Sequence, residues 1–272
     1  MRVKLAWGVV TVITVGLLML FNYWAPWQFE SMAAYSGIVL LILGTACTVV
    51  PFRVLEIGRR RTGAVIGVTG LALAVGALLW PASLKTTSQY HSRFDARMPQ
   101  YHFSERHTIK VHAAPPEVLA ALQQTTLADL AAMEVLTRIR SAALGGDLDL
   151  GASQKPLVDA GFLRLDQDDR EVVLAMAGRP WANAVPKLHD PAEFESFNES
   201  GSVKIALNFR VEYLGNGWSS VITETRVLGI GTAGRRRMSP YWRLIVPGSG
   251  LIRRQWLSAI RERAEHRASS QS

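Results

Sequence analysis

The side chains best suited to chemistry lie in three places. On the stretch Phe103–Val111, Glu105 and His107 share one parity with Phe103, Ile109 and Val111, whereas Arg106, Thr108 and Lys110 share the other. Alternate residues of a strand point to opposite faces, so a carboxylate and an imidazole stand on the apolar side. There they suit a general base or a ligand hydrogen bond, and a core histidine with a satisfied ring fits the same pattern. Glu224 and Arg226 form the second pair, on a face shared with Trp218 and Ile222. Either this pair points inward and grips a polar head group, or Thr223, Thr225 and Val227 point inward and the charges meet solvent. The third place is Ser239–Arg267, where Trp242, Ser249 and Trp256 recur on one apolar helical stripe and suit either core packing or the lining of a cavity.

Other chemistries lack their residues. His102, His107 and His112 recur every five positions, so in a strand the middle one faces away from the other two and the three do not converge on a metal. No Ser-His-Asp order, phosphate loop, CxxC or HExxH pattern occurs, and neither a metal nor a cofactor is expected. Cys47 is the single cysteine and sits in an apolar run, which excludes a disulfide scaffold and reads as a small buried residue. The net charge of +8 over 272 residues raises nucleic acid as a partner. The arginines, however, cluster beside apolar spans or interleave with acids near the C-terminus, and no nucleic-acid partner is expected.

The elements that would position these residues can be read in order. Phe103–Val111 is a strand with one buried face, followed by a short helix announced by Pro115-Pro116-Glu117 and a second helix from Leu127 to about Ala143. Phe162–Leu165 and Glu171–Ala177 flank a polar turn and form a hairpin; Arg179–Pro191 is irregular. Val203, Ile205, Leu207, Phe209, Val211 and Tyr213 alternate with polar residues, and Gly215-Asn216-Gly217 returns the chain into a strand over Trp218–Leu228. A long helix begins at Ser239-Pro240, an N-cap with proline in the first turn. Pro247-Gly248-Ser249-Gly250 interrupts it at a cost of about 3 kcal/mol for the proline and about 1 for each glycine. The stripe keeps phase across the interruption, which predicts a bend; a strand over Tyr241–Val246 with a separate helix from Leu251 is the alternative.

Apolar residues crowd the N-terminal part. Leu5–Phe21, Met32–Val50 and Thr62–Trp80 are nearly free of charge, and each approaches the roughly 20 residues that cross a bilayer as a helix. Arg2 and Lys4 precede the first span and Arg53, Arg59, Arg60 and Arg61 follow the second, while the loop Ala25–Ser31 has no basic residue. The positive-inside tendency then places the N-terminus in the cytoplasm and the C-terminal part outside a cytoplasmic membrane crossed three times. Gly63, Gly67 and Gly70 form a small-residue face suited to packing inside one bundle or, through Gly63 and Gly67, to a homodimer. Residues 1–82 are thus a membrane domain, 83–100 a polar linker, and 101–268 a domain with its own core.

The strand running into His112-Ala113-Ala114-Pro115-Pro116-Glu117-Val118, the strand Thr223–Val227 and the block Tyr241–Arg254 together resemble the START-like helix-grip superfamily, also called the polyketide cyclase and lipid transport superfamily, over residues 101–268. The resemblance implies an α+β fold in which a curved antiparallel sheet grips the long C-terminal helix, preceded here by three transmembrane helices. It also implies a cavity between sheet and helix for a lipid or other hydrophobic small molecule, lined by Glu105, His107, Phe209, Tyr213, Glu224, Arg226, Trp242, Ser249 and Trp256. A membrane-anchored binding module is the function this predicts. A cyclase-like or hydrolytic enzyme using His107 or Glu224, and a sensor or interaction protein with an exposed apolar patch, are the alternatives.

Overall fold

The computed structural model describes residues 28–49, 60–130 and 162–271. The chain divides into two compact units, Met1–Pro81 with Ser239–Pro247, and Ala82–Met238 with Gly248–Ser272.

In the first unit, α1 (Phe29–Val49) and α2 (Arg60–Leu79) are two helices long and apolar enough to cross a membrane. Both agree with the expected second and third spans to within a turn. The expected first span, Leu5–Phe21, lies outside the described residues. The two helices touch backbone to backbone: a Cβ added to Gly44 would stand 2.1 Å from the Gly67 backbone, and one on Gly37 would stand 2.4 Å from Ala74. Glycine is needed at these positions for the helices to approach so closely. The Gly63 and Gly67 face, on which the sequence allows a homodimer, is the one that lies against Cys47 and Gly44 of the same chain. Ile42, Leu43, Val65, Val68 and Leu71 point away from this seam and are exposed.

The second unit is α+β. A small pair, β1 (Lys85–Thr86) and β2 (Gln100–Tyr101), brackets the five-residue helix α3 (Arg93–Arg97). Next come β3 (Phe103–Val111), α4 (Pro115–Gln124), β4 (Leu163–Gln167), β5 (Glu171–Gly178), α5 (Pro191–Ser196), β6 (Val203–Gly215), β7 (Trp218–Gly229) and α6 (Gly231–Gln271). The strands make one antiparallel sheet in the order β3-β7-β6-β5-β4, a meander whose last strand pairs with the first. Left-handed backbone at Gly215, Asn216 and Gly217 forms the β6–β7 turn, where such residues are tolerated.

The sheet has a core on each face. Val111, Leu174, Phe209 and Val221 meet Trp256, Leu257 and Ile260 of α6 and Val118 and Leu122 of α4. On the opposite face, Val173, Ala175 and Ala206 meet Phe94 of α3 and Phe194 of α5. The residues read as a linker are therefore structural: Phe94 and Asp95 are buried, and α3 is capped by Ser92, whose hydroxyl accepts from the Asp95 N–H. A polar, aperiodic sequence conceals this helix because it is short and is held by ion pairs, Arg93 to Asp166 and Asp168 and Arg97 to Asp166 and Glu195.

The C-terminal helix also departs from expectation. It begins at Gly231, before Ser239, and runs as one helix of 41 residues with Pro240 and Pro247 inside it. Burial of Trp256, Leu257, Ile260 and Ala264 against the sheet supplies tertiary stabilisation that local propensity does not count. Of the second helix expected from Leu127, the described part is a short turn, Leu127–Asp129; the remainder lies outside the described residues.

Candidate functional site

The face of the sheet that meets α6 is built in rows across the strands. Glu105, Thr225, Leu207 and Leu174 form one row, and His107, Thr223, Phe209 and Val172 the next. Because every strand alternates, all eight side chains fall on the same face. The neighbouring strands β3 and β7 contribute four polar groups and β6 and β5 contribute four apolar ones. The surface is amphipathic across the strands.

Helix α6 completes the polar half. Ser249 Oγ donates to Glu105 Oε2 at 2.6 Å, and the His107 imidazole lies against the other carboxylate oxygen, with Nε2 2.8 Å from Oε1. Glu105 and His107 are 3% and 6% exposed. One turn further along α6, the Arg253 guanidinium donates to the hydroxyls of Thr223, at 2.7 Å, and Thr225, and its Nε stands 3.9 Å from Glu105 Oε2. Burial pulls Arg253 below the usual arginine range, with Glu105 and Glu224 opposing that pull. A further turn on, the Trp256 ring packs on Phe209 with centroids 4.4 Å apart.

Two donors in this interior have no hydrogen-bond partner: Arg253 Nε and Trp256 Nε1, both fully buried. A buried unpaired donor costs about 1–3 kcal/mol, and here two stand three residues apart on one face of a helix. Beside them the row Phe103, Val227, Ile205 and Met176 is apolar and faces the same way, with Ile205 and Met176 still part-exposed. Against the sheet's polar half α6 presents Ser249, flanked in sequence by Gly248 and Gly250.

The arrangement limits the chemistry. Ser249 donates to the carboxylate and not to the imidazole, so Ser249, Glu105 and His107 lack the serine-to-histidine link that activates a nucleophile. Glu224 lies on the other face of the sheet from His107, with which it therefore cannot combine. Among the described residues no cluster of three or more metal-ligating side chains occurs.

The other expected site residues are dispersed. Arg226 lies on the face away from α6, where it meets Asp95 at 2.7 Å, Glu224 at 2.7 Å and the Met98 carbonyl at 3.1 Å, between the rings of Phe94 and Tyr101. Burial pushes the Asp95 carboxyl up, but the bonds from Arg226, the His91 N–H and Ser92 outweigh it and leave Asp95 below the usual range. This cluster is fully paired and fastens α3 to the sheet. The sequence offered two faces for Glu224 and Arg226; in the structure Thr223, Thr225 and Val227 face α6, and the charged pair is covered by α3. Tyr213 is 59% exposed at the end of β6, and its hydroxyl accepts from the Gly217 N–H. Trp242 belongs to the first unit, where Nε1 donates to Gln28 Oε1 at 3.0 Å. The helical stripe placed it in line with Trp256, but periodicity does not distinguish which neighbour each part of a long helix meets.

Arg253 is the functional candidate that the apolar stripe hides. Its signal is spacing: it follows Ser249 by four residues and precedes Trp256 by three, so the three share one helical face. Compared with protein-family models, with curated proteins and with solved structures, the chain gives no match in any of the three.

Proposed function

We propose that the protein is a membrane-anchored binding module that holds a lipid or other hydrophobic small molecule between the sheet and α6, with a hydrogen-bond-accepting head group at Arg253 and Trp256. The observation that carries this reading is the pair of buried donors without a hydrogen-bond partner, Arg253 Nε, which has only a 3.9 Å approach to Glu105, and Trp256 Nε1. A head group accepting from both would remove their desolvation cost, and the division of the sheet face into a polar and an apolar half suits a molecule with one polar end. The resemblance to the helix-grip superfamily points to the same class of ligand. Two helices long enough to cross a membrane support the anchor. The lysine and arginine flanks support a cytoplasmic N-terminus with the sheet unit on the extracytoplasmic side of a cytoplasmic membrane.

The test is a titration of the full chain in detergent with dodecanoate, comparing wild type with Trp256→Phe. The substitution keeps an aromatic ring, though a smaller one, and deletes one donor. The expected result is saturable binding that weakens about tenfold, equivalent to about 1.4 kcal/mol, in the variant. Equal affinity in both proteins, or no binding to wild type, overturns the assignment of these donors.

A further inference from the structure

We infer that the middle of α6, Tyr241–Val246, is a membrane-interface segment that lies with α1 and α2 and presents Leu244 to lipid. The inference rests on reading α1 and α2 as membrane spans and concerns a part of the chain that the ligand site does not use.

Four hydrogen bonds, donated by three side chains, fix this stretch within the first unit. Trp242 Nε1 donates to Gln28 Oε1, just before α1 begins. Tyr35 Oη donates to the Leu244 carbonyl at 2.6 Å. The Arg243 guanidinium donates to the carbonyls of Leu78 at 2.5 Å and Trp80 at 2.6 Å, at the C-terminal end of α2. The last four carbonyls of a helix have no partner within it, so Arg243 caps α2 with a cation at the negative end of its dipole. The start of α1 and the finish of α2 lie together because the helices are antiparallel, with Gly37 against Ala74 and Gly44 against Gly67.

Depth follows from helix geometry. The 21 residues of α1 at about 1.5 Å each match a hydrocarbon layer of about 30 Å. The Tyr35 backbone lies about 9 Å along the axis from Phe29, and Gln28, Leu78 and Trp80, which also bond this stretch, lie at the end of the helix pair, so Tyr241–Val246 sits within the first two turns of α1. The sequence suits such a boundary: Tyr241, Trp242 and Arg243 carry polar tips on apolar bodies, and Leu244, Ile245 and Val246 are wholly apolar.

A neighbouring helix also reaches the backbone here: the Tyr35 hydroxyl donates to the Leu244 carbonyl, three residues before Pro247. Lipid is the occupant because Leu244, 43% exposed, belongs to the same end of the unit as Phe29, Leu79 and Trp80, which are 79%, 66% and 61% exposed.

The test places a nitroxide on the full chain at Leu244→Cys, at Val68→Cys on the outer face of α2, and at Arg106→Cys on the exposed side of β3. Each protein is reconstituted in vesicles of phosphatidylethanolamine and phosphatidylglycerol. Collision with oxygen, which concentrates in lipid, is compared with collision with a water-soluble nickel chelate. The expected result is that oxygen dominates at Val68 and Leu244 and the nickel chelate at Arg106. Oxygen dominance at Val68 with a Leu244 signal like that of Arg106 overturns the inference and leaves the spans intact. Nickel dominance at Val68 overturns the membrane reading itself. In the unmodified chain, a photoactivatable phospholipid should label the peptide containing Tyr241–Val246; labelling of α1 and α2 without it contradicts the inference.

Discussion

Glu105 accepts from Ser249 and His107 and faces Arg253; Glu105, His107 and Arg253 are buried and Ser249 is half-buried. Such a group holds a helix to a sheet as well as it holds a ligand, and what separates the two roles is the balance of donors and acceptors. The Asp95–Arg226–Glu224 cluster on the opposite face is balanced, with every guanidinium nitrogen bonded. The cluster under α6 is not, since two donors remain over. His102 shows how a single ring ties stability to pH. Its Nδ1 accepts from the Gly229 N–H at 3.1 Å, which requires an unprotonated nitrogen, and burial followed by the nearby Arg235 charge holds its pKa below the ordinary 6.5. The unfolded chain therefore binds this proton more readily than the folded one, so the stabilisation is complete above pH 6.5 and is lost as pH falls toward the lower folded value. Replacing His102 with Asn keeps an acceptor that does not titrate in this range. Thermal unfolding of H102N should fall less steeply than wild type below pH 6.5, and an unchanged slope would show that His102 carries none of the dependence.

At the scale of elements, the two sheet hairpins and the opening strand were legible because their alternation and turn residues are local. Which face of β7 meets α6 was not, since Glu224 and Arg226 alternate with Thr223 and Thr225 and either set can be buried if it is paired. Helix α3 escaped notice because five residues carry too little periodicity, and its burial depends on Arg226 more than a hundred positions away. The start of α6 was misplaced because Ser239-Pro240 is a good local helix start, whereas packing of distant residues decides where a long helix begins. The α1–α2 contact is the clearest case of an element that small residues make. Gly44→Leu puts a side chain where Gly67 backbone atoms would lie 2.1 and 2.5 Å from its Cβ. The helices must separate, and loss of the full-length protein from the membrane fraction, or its aggregation in detergent, is the expected outcome. Gly76, with nothing within 4 Å of an added Cβ, is the control: Gly76→Leu should be accumulated like wild type. Normal accumulation of both would mean that α1 and α2 do not rely on this close approach.

For the molecule as a whole, α6 is the element that both units claim: Ser239–Pro247 belongs to the unit of apolar helices, and the turns on either side belong to the sheet. The boundary falls at Pro247-Gly248, next to Ser249 and its bond to Glu105, so the residues that the sequence marks as weakest in the helix sit at the edge of the candidate site. The proposed binding function requires that site to be occupied in the working protein. Native mass spectrometry of the full chain, purified in mild detergent and then stripped of its micelle, measures this directly. The expected result is a complex heavier than the chain by one apolar molecule, which solvent extraction releases intact and which Trp256→Phe retains poorly. A chain at its bare mass, unshifted by a panel of fatty acids and phospholipids, would contradict the account; the exposed Tyr213, Leu214 and Trp218 beside the β6–β7 turn would then be the better place to seek a partner.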